Sequence, residues 1–238
     1  LELLDLFPEF FARLRLRLPG EESTDALPDL LNESLWNVTC FERLQHEDGG
    51  VGGGIEASAH PRKGEASWTD SLVWMTFAPD VYNSYTYAAV AARTARVARR
   101  YDEPLSERLR DSAERAWSWA EPRVSAVKTE KQQNRARDAR AAAAVELLWR
   151  TGDAAYDESF ATAHRIDDQA FKSQHGATFA YARLPSALGD KSLKRRARKR
   201  VIARANAAIA YGDGNAFGLA SPNRYLPLIG PVGAFTTP

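Results

Sequence analysis

Apolar residues recur with the period of an α-helix along almost the whole chain. The clearest stripe spans positions 27–41 and consists of Leu27, Leu30, Leu31, Leu35, Val38 and Phe41. Spacings of three and four residues place such side chains on one face of a helix, where a core can cover them. No segment shows the two-residue alternation that is typical of a half-buried strand. The pattern therefore predicts an all-α protein with more than half of its residues in helices.

Further helices are predicted from alanine-rich or similarly periodic segments. The predicted helices span residues 1–17, 27–45, 82–101, 104–120, 138–150, 154–163, 176–184 and 192–211. Residues 128–137 are polar and are expected to begin as a loop. Short connections favour antiparallel neighbours, so the helices are expected to form a bundle or an α/α toroid. We assign residues 1–238 to a single domain.

One long segment, Val51–Pro79, lacks helical periodicity and is expected to be a loop. Loops of this length in a compact domain are usually functional or disordered, and aromatic residues argue against disorder. The segment contains His60, Trp68 and Trp74, whose rings are costly to leave unpacked in water. We predict that it packs over one end of the helical layer and exposes at least one of these rings to a groove.

The charge balance indicates no polyanionic partner. The chain has 32 Lys and Arg against 31 Asp and Glu, so no net charge attracts nucleic acid or an anionic membrane. We interpret the basic stretch Lys191–Arg204 as the solvated face of an outer helix, because no nucleic-acid motif accompanies it. No apolar run reaches the roughly 18 residues that span a bilayer. The single cysteine, Cys40, excludes an intrachain disulfide.

The two ends of the sequence indicate a piece of a longer chain. Residue 1 is a leucine and the only methionine is Met75. The first predicted helix has no capping residue before it, and residues 220–238 are rich in Pro and Gly without a closing element. The lack of a leader peptide is therefore uninformative.

Five stretches carry a resemblance to a known family. They are Leu27–Glu33, Leu44–Val51, Tyr85–Asp102, Ala116–Ala120 and Ala143–Tyr156. In this order and at this spacing they are similar to helix starts and turns of glycoside hydrolase family 9, the cellulase-type enzymes, with Asn for Asp at position 32 and Leu for Met at position 44. The resemblance implies an α/α barrel of six helical hairpins with an open cleft across one end. About eight of its helices fit in this chain, so the fold class is a partial α/α toroid.

The catalytic groups that the resemblance implies are absent from the sequence. Inverting glycoside hydrolysis uses one carboxyl group to protonate the leaving oxygen and another, about 6.5–9.5 Å away, to activate water. The family carries its bases in an Asp-Ala-Gly-Asp motif and its acid, a Glu, after a His-x-Arg element. Neither motif occurs here. We therefore assign no catalytic residue and expect both halves of the pair to lie outside residues 1–238 or to have been lost.

A sugar-binding role remains open to the long loop. Sugars stack on aromatic rings and bond to polar neighbours through their hydroxyls. On this ground the candidate substrate-binding residues are Trp68, His60, Asp70, Trp74 and Tyr82. Core packing is the alternative for each tryptophan, and an incidental surface position is the alternative for His60. Trp68 is the first choice because its neighbours are polar.

The other tryptophans are predicted to be structural, because they fall on helices at core-like spacing. They are Trp36, Trp117, Trp119 and Trp149.

Some members of the family bind calcium through an Asp-Glu pair at the position of Asp138, but Ala139 replaces the Glu here. Calcium prefers six to eight oxygen ligands. We therefore expect no metal and no cofactor.

The resemblance implies a glycoside hydrolase that acts on β-1,4-glucan with inversion. Two other classes stay open: another α/α-toroid carbohydrate enzyme, such as a polysaccharide lyase, and a helical scaffold or glycan-binding protein that lacks the catalytic pair. The resemblance also favours a secreted or periplasmic location. The sequence leaves the oligomeric state undetermined.

Overall fold

Helices dominate the part of the chain that the structure describes. The computed structural model describes residues 1–18, 20, 24–167, 174–215 and 218. Its α-helices are α1 (Glu2–Leu6), α2 (Pro8–Phe11), α3 (Asp29–Arg43), α4 (Val81–Ala98), α5 (Glu103–Ala120), α6 (Glu130–Thr151), α7 (Ala154–Ala163), α8 (His175–Arg183) and α9 (Lys191–Asp213). Two strands, β1 (Ile55–Ala57) and β2 (Trp74–Thr76), and two 3₁₀ helices, Ser67–Thr69 and Glu121–Ala126, lie in the connections. Helices account for 65% of the described residues, which confirms the predicted fold class.

Three helical hairpins form the body of the protein. They pair α4 with α5, α6 with α7, and α8 with α9, and α6 packs against both α4 and α8. Tyr85 of α4 and Arg140 of α6 both bond to Glu121, while Arg93, further along α4, bonds to Glu146, further along α6. The contacts therefore advance in the same direction, so α4 and α6 are parallel neighbours. Parallel inner helices, each followed by an antiparallel outer helix, form the repeating unit of an α/α toroid.

Small residues let the inner helices approach each other closely. Ala88 and Ala92 on α4 and Ala144 on α6 are fully buried. Large rings fill the space between α7 and α8, where Phe160 stacks on Tyr181 with 4.1 Å between ring centroids. Burying a side chain of this size stabilises the fold by about 1.5–3 kcal/mol.

A buried ionic cluster ties four helices together. Glu146 on α6 accepts hydrogen bonds from Arg93 (2.8 Å) and Arg96 (3.2 Å) of α4. Asp5 of α1 accepts from Arg96 (2.6 Å) and from Arg183 of α8 (3.0 Å). Burial raises the pKa of Asp5, but the bonds and charges of the two arginines outweigh it, so the pKa is lowered overall. The cluster fixes the N-terminal helix on the three inner helices.

Capping side chains set the helix starts, and one of them corrects a prediction. Asp80, Asp102, Asp153 and Asp190 each accept a backbone N–H at the start of a helix, a contact typically worth about 1 kcal/mol. Thr129 does the same for α6, so the segment 128–137 begins as a loop, as expected, but the helix starts at Glu130 and not at the predicted residue 138. Its Lys, Gln, Arg and Ala residues favour helix intrinsically, although they lack an apolar stripe.

The predicted helix over residues 1–17 is also wrong in its extent. Pro8 restricts Phe7 to φ −130°, ψ 58°, outside the helical region, and divides the segment into α1 and α2. Beyond residue 12 the chain is irregular. The carboxylate of Asp29 holds it there by accepting from the backbone N–H of Leu16 (2.6 Å) and from Arg15 (2.9 Å).

The exposure of the helical tryptophans and of the basic face of α9 can be compared with the predictions from sequence. Trp117 is buried, and Trp119 and Trp149 are half-buried, but Trp36 is 60% exposed, so its assignment to the core is wrong. The basic face of α9 is mostly exposed, with Lys194 turned inward to the backbone carbonyl of Pro185 (3.0 Å). Within the described ranges, no helix has the combination of length and apolarity needed to cross a membrane.

Candidate functional site

The segment 51–79 folds back on itself and forms an open groove. Strand β1 pairs antiparallel with β2, with Ile55 opposite Thr76 and Ala57 opposite Trp74. These two strands have three residues each, so they leave the predicted all-α class unchanged. They form because backbone pairing satisfies N–H and C=O groups that no helix covers. The groove beside them, here named the loop groove, has a volume of 710 Å³ and is lined by Ile55, Glu56, Ala57, Ser58, Ala59, His60, Pro61, Glu65, Ala66, Asp70, Leu72 and Trp74.

Backbone contacts fix this segment at the N-terminus of α4. Val51 is buried, and its N–H donates to the hydroxyl of Ser84 (3.0 Å). Gly52 bridges to Pro79 on the returning chain. A Cβ atom on Gly52 would lie 2.3 Å from the carbonyl oxygen of Phe77, so the close approach of the two chain segments requires glycine.

The structure brings three of the five predicted binding residues together. His60, Asp70 and Trp74 line the loop groove. Trp68 lies on the 3₁₀ helix of the same segment and is 87% exposed, but it does not line the groove. Tyr82, in the first turn of α4, lines a different groove.

Asp70 orients Trp74 within the loop groove. Its Oδ2 accepts from the indole Nε1 of Trp74 (2.9 Å), and its Oδ1 accepts from the backbone N–H of Leu72 (2.8 Å). The tryptophan is 57% exposed, so its ring is held at one edge and open to solvent. A flat apolar surface with a fixed orientation suits the apolar face of a sugar ring.

Glu65 organises the opposite part of the loop. One of its oxygens accepts from the backbone N–H of Arg62 (2.9 Å), and the other accepts from the N–H and the hydroxyl of Ser71 (2.8 and 2.7 Å). These bonds, the one from Arg62 foremost, lower the pKa of Glu65 below its ordinary value of 4.5. A general acid needs a raised pKa, so Glu65 suits a structural role rather than proton donation. Glu114 has a pKa raised by burial but lines neither groove.

A second cavity lies where the N-terminal ends of α4 and α6 meet the C-terminal end of α5. This cavity, here named the helix-end groove, has a volume of 620 Å³ and is lined by Pro79, Asp80, Val81, Tyr82, Asn83, Trp119, Arg123, Ala126, Val127, Lys128, Gln132, Arg135 and Ala136. Asp48, beside it, accepts from the indole of Trp119 (2.8 Å). That bond and the N–H of Gly50 lower the pKa of Asp48.

Guanidinium groups cover the aromatic rings of the helix-end groove. The Cζ atom of Arg135 lies 4.0 Å from the ring centroid of Tyr82, and that of Arg123 lies 4.3 Å from the ring centroid of Trp119. Stacking of this kind is electrostatically favourable. The sequence pattern indicates Tyr82 but neither of the two arginines nor a groove position for Trp119, because these side chains approach each other only after three helix ends converge.

Asp138 does not fit a calcium ion. Its Oδ1 accepts from the amide of Gln174 (2.7 Å), and the guanidinium of Arg165 lies 3.8 Å away. Ala139 supplies no oxygen, and an arginine beside the carboxylate opposes a cation. In the part of the chain that the structure describes, no three His, Cys, Asp or Glu residues group as metal ligands would.

The fold and the grooves define an α/α-toroid protein with open, aromatic-lined surfaces at the N-terminal ends of its inner helices. Comparison of the sequence with known families gives the family directly. Residues 23–213 match glycosyl hydrolase family 9, and the chain belongs to that family.

Solved structures with the same fold agree with this assignment. A family 9 protein of Bacteroides ovatus superposes with a TM-score of 0.78 at 22% identity, over 93% of this chain and 44% of that one. A metagenome-derived family 9 endoglucanase gives 0.76 at 23% identity, over 92% and 42%. An endoglucanase of Alicyclobacillus acidocaldarius gives 0.75 at 20% identity, over 92% and 44%. The chain thus spans less than half the length of these structures. No curated protein sequence matches it.

Proposed function

We propose that this chain is part of the catalytic domain of a cellulase-type glycoside hydrolase that cleaves β-1,4-glucan with inversion. The match of residues 23–213 to family 9 carries the proposal. Endoglucanases are among the structures that share the fold, and one similar structure, AaCel9A, holds a cellobiose-like isofagomine. Secretion, as expected for an enzyme that acts on an insoluble glucan, is part of the same proposal.

In this proposal the chain supplies substrate-binding surface rather than the reacting groups. The loop groove offers Trp74 as a stacking platform, with Asp70 and His60 as hydrogen-bonding neighbours. Trp68 projects from the same loop as a separate exposed ring. The two catalytic carboxyl groups lie outside residues 1–238, since neither sequence motif that would carry them occurs here.

Activity measurements on two forms of the protein test this proposal. The complete protein is expected to release reducing ends from cello-oligosaccharides, with the α-anomer formed first, as inversion requires. The 238-residue chain alone should show no turnover, because a positioned acid or base typically contributes 10²–10⁴-fold and this chain supplies neither. Turnover that purifies with the short chain would place the active site within it.

The same measurements separate the enzyme from a binding protein. A complete protein that binds cello-oligosaccharides without hydrolysing them, under conditions in which a family 9 endoglucanase is active, would reject the enzymatic proposal. Binding would then identify a glycan-binding protein on an α/α-toroid scaffold.

A further inference from the structure

The loop groove and the helix-end groove carry charges of opposite sign. Glu56, Glu65 and Asp70 line the loop groove, with His60 as its only basic residue. The helix-end groove has the reverse balance of charge. Its lining includes one carboxylate, Asp80, and three cations, Arg123, Lys128 and Arg135. A neutral sugar polymer requires no such separation of charge.

The cations of the helix-end groove are not neutralised by ion pairs within the described residues. None of the described carboxylates lies within ion-pair distance of Arg123, Lys128 or Arg135. Asp80 is occupied as the cap of α4, where it accepts from the N–H of Asn83 (2.9 Å). The charge of Arg123 also acts on Asp48, whose carboxylate accepts from the indole of Trp119 (2.8 Å).

Aromatic stacking also fixes the orientation of two of these cations, Arg123 and Arg135. Because Arg135 lies over the face of Tyr82 and Arg123 over the face of Trp119, a sugar cannot stack on those faces without displacing a guanidinium group. Arg123 uses one nitrogen to donate to the carbonyl of Trp119 (2.8 Å). The remaining N–H groups lie in the guanidinium planes, where they match the two oxygens of a carboxylate.

We propose that the helix-end groove binds a carboxylate-bearing sugar unit, such as a uronic acid, on the glycan that the enzyme cleaves. This inference rests on the proposed glycan-hydrolysing function. Arg135 and Arg123 donate hydrogen bonds to the carboxylate through the N–H edges of their guanidinium groups, and Lys128 adds a long-range electrostatic attraction. The apolar lining from Val127 and Val81 accepts the sugar ring.

A matched pair of ligands tests this proposal on the complete protein. Cellotetraose and its analogue oxidised to the carboxylate at the terminal C6 differ only in that group. By isothermal titration calorimetry, with the glycosidic oxygens of both ligands replaced by sulfur so that neither is hydrolysed, we expect the oxidised ligand to bind at least about tenfold more tightly, because bonds to charged groups are stronger than neutral ones. The advantage should shrink with added salt, and the Nε–H signals of Arg123 and Arg135 should shift in NMR spectra.

Charge-removing variants supply the control. Arg135→Gln should abolish most of the preference for the oxidised ligand, measured as the ratio of the two affinities within the same variant. Lys131→Gln removes an exposed cation of the same helix that does not line the groove, and it should preserve the preference. Equal affinity for both ligands, equal losses in the two variants, or equally tight binding of inorganic phosphate would overturn the inference. If the cellulase proposal itself is wrong, the complete protein does not hydrolyse cellotetraose, and this result is independent of the preference for the oxidised ligand.

Discussion

The carboxylate of Asp70 holds the indole of Trp74 by a hydrogen bond of 2.9 Å between Oδ2 and Nε1. Both residues are exposed, so the bond orients a ring on the surface rather than stabilising a core. The same carboxylate also receives the backbone N–H of Leu72, which couples the position of the ring to the path of the loop. A sugar that stacks on Trp74 would therefore meet a ring whose tilt is already set.

Removal of Asp70 should weaken substrate binding without unfolding the protein. Asp70→Ala frees the indole of Trp74, and a net hydrogen bond of about 0.5–1.5 kcal/mol corresponds to a rise in KM of roughly two- to tenfold. The melting temperature should stay nearly constant, because exposed substitutions usually change stability by less than about 0.5 kcal/mol. Glu158→Gln, an exposed carboxylate on α7, is the control and should leave KM for cello-oligosaccharides unchanged. If Asp70→Ala leaves KM unaltered, the substrate does not bind on Trp74.

Truncation of Trp68 should reduce activity on glucan while sparing stability. The ring is 87% exposed, so Trp68→Ala leaves no cavity. Loss of one stacking contact of about 0.5–1.5 kcal/mol lowers kcat/KM on cello-oligosaccharides roughly two- to tenfold. Trp68→Phe retains a flat ring and should keep most of the activity. If the alanine and phenylalanine variants are both as active as the parent protein, Trp68 contacts no substrate.

Neutralisation of Glu146 should destabilise the fold strongly. Its side chain is 2% exposed and bonds to Arg93 and Arg96, so Glu146→Gln removes the most buried carboxylate of the cluster and leaves Arg96 with Asp5 and Arg93 with Glu2. Removal of one partner of a buried pair costs about 3–5 kcal/mol. Urea denaturation should show this loss in the free energy of unfolding, whereas Glu158→Gln should change it by less than about 0.5 kcal/mol. Near-equal values for the two variants would mean that the cluster contributes nothing net.

Acidification should loosen the loop through Glu65. Its pKa is lowered in the folded state by the N–H of Arg62 and by Ser71. The stabilisation is therefore fully present above the ordinary Glu pKa of 4.5 and is lost as pH falls through the lower, folded value. NMR titration of the Arg62 and Ser71 amide signals should give a common midpoint below 4.5. This transition should be absent in Glu65→Gln, and a midpoint at or above 4.5 would contradict the hydrogen-bonded geometry.

The helices were predictable where pattern and boundary signals coincide. The stripe from Leu27 to Phe41 and the cap at Asp153 act within one or two turns, so the extents of α3 and α7 follow from neighbouring residues alone. The start of α6 was not predictable from the apolar pattern, because its first turns pack few side chains and depend on Thr129 and intrinsic propensity. Trp36 shows the converse limit, since helical spacing places a side chain on a face without saying what covers that face.

The helical class, the family resemblance and the loop that carries the exposed aromatic rings are all predictable from the order of the residues. These properties follow from short-range periodicity, turn residues and motif order, all of which are local. The packing of the hairpins, by contrast, decided that His60, Asp70 and Trp74 share one groove while Tyr82 lines another. It also decided that Arg123 and Arg135 cover the rings of that second groove. Such contacts join residues from separate helix ends, and their geometry depends on how the hairpins pack, which no local pattern encodes.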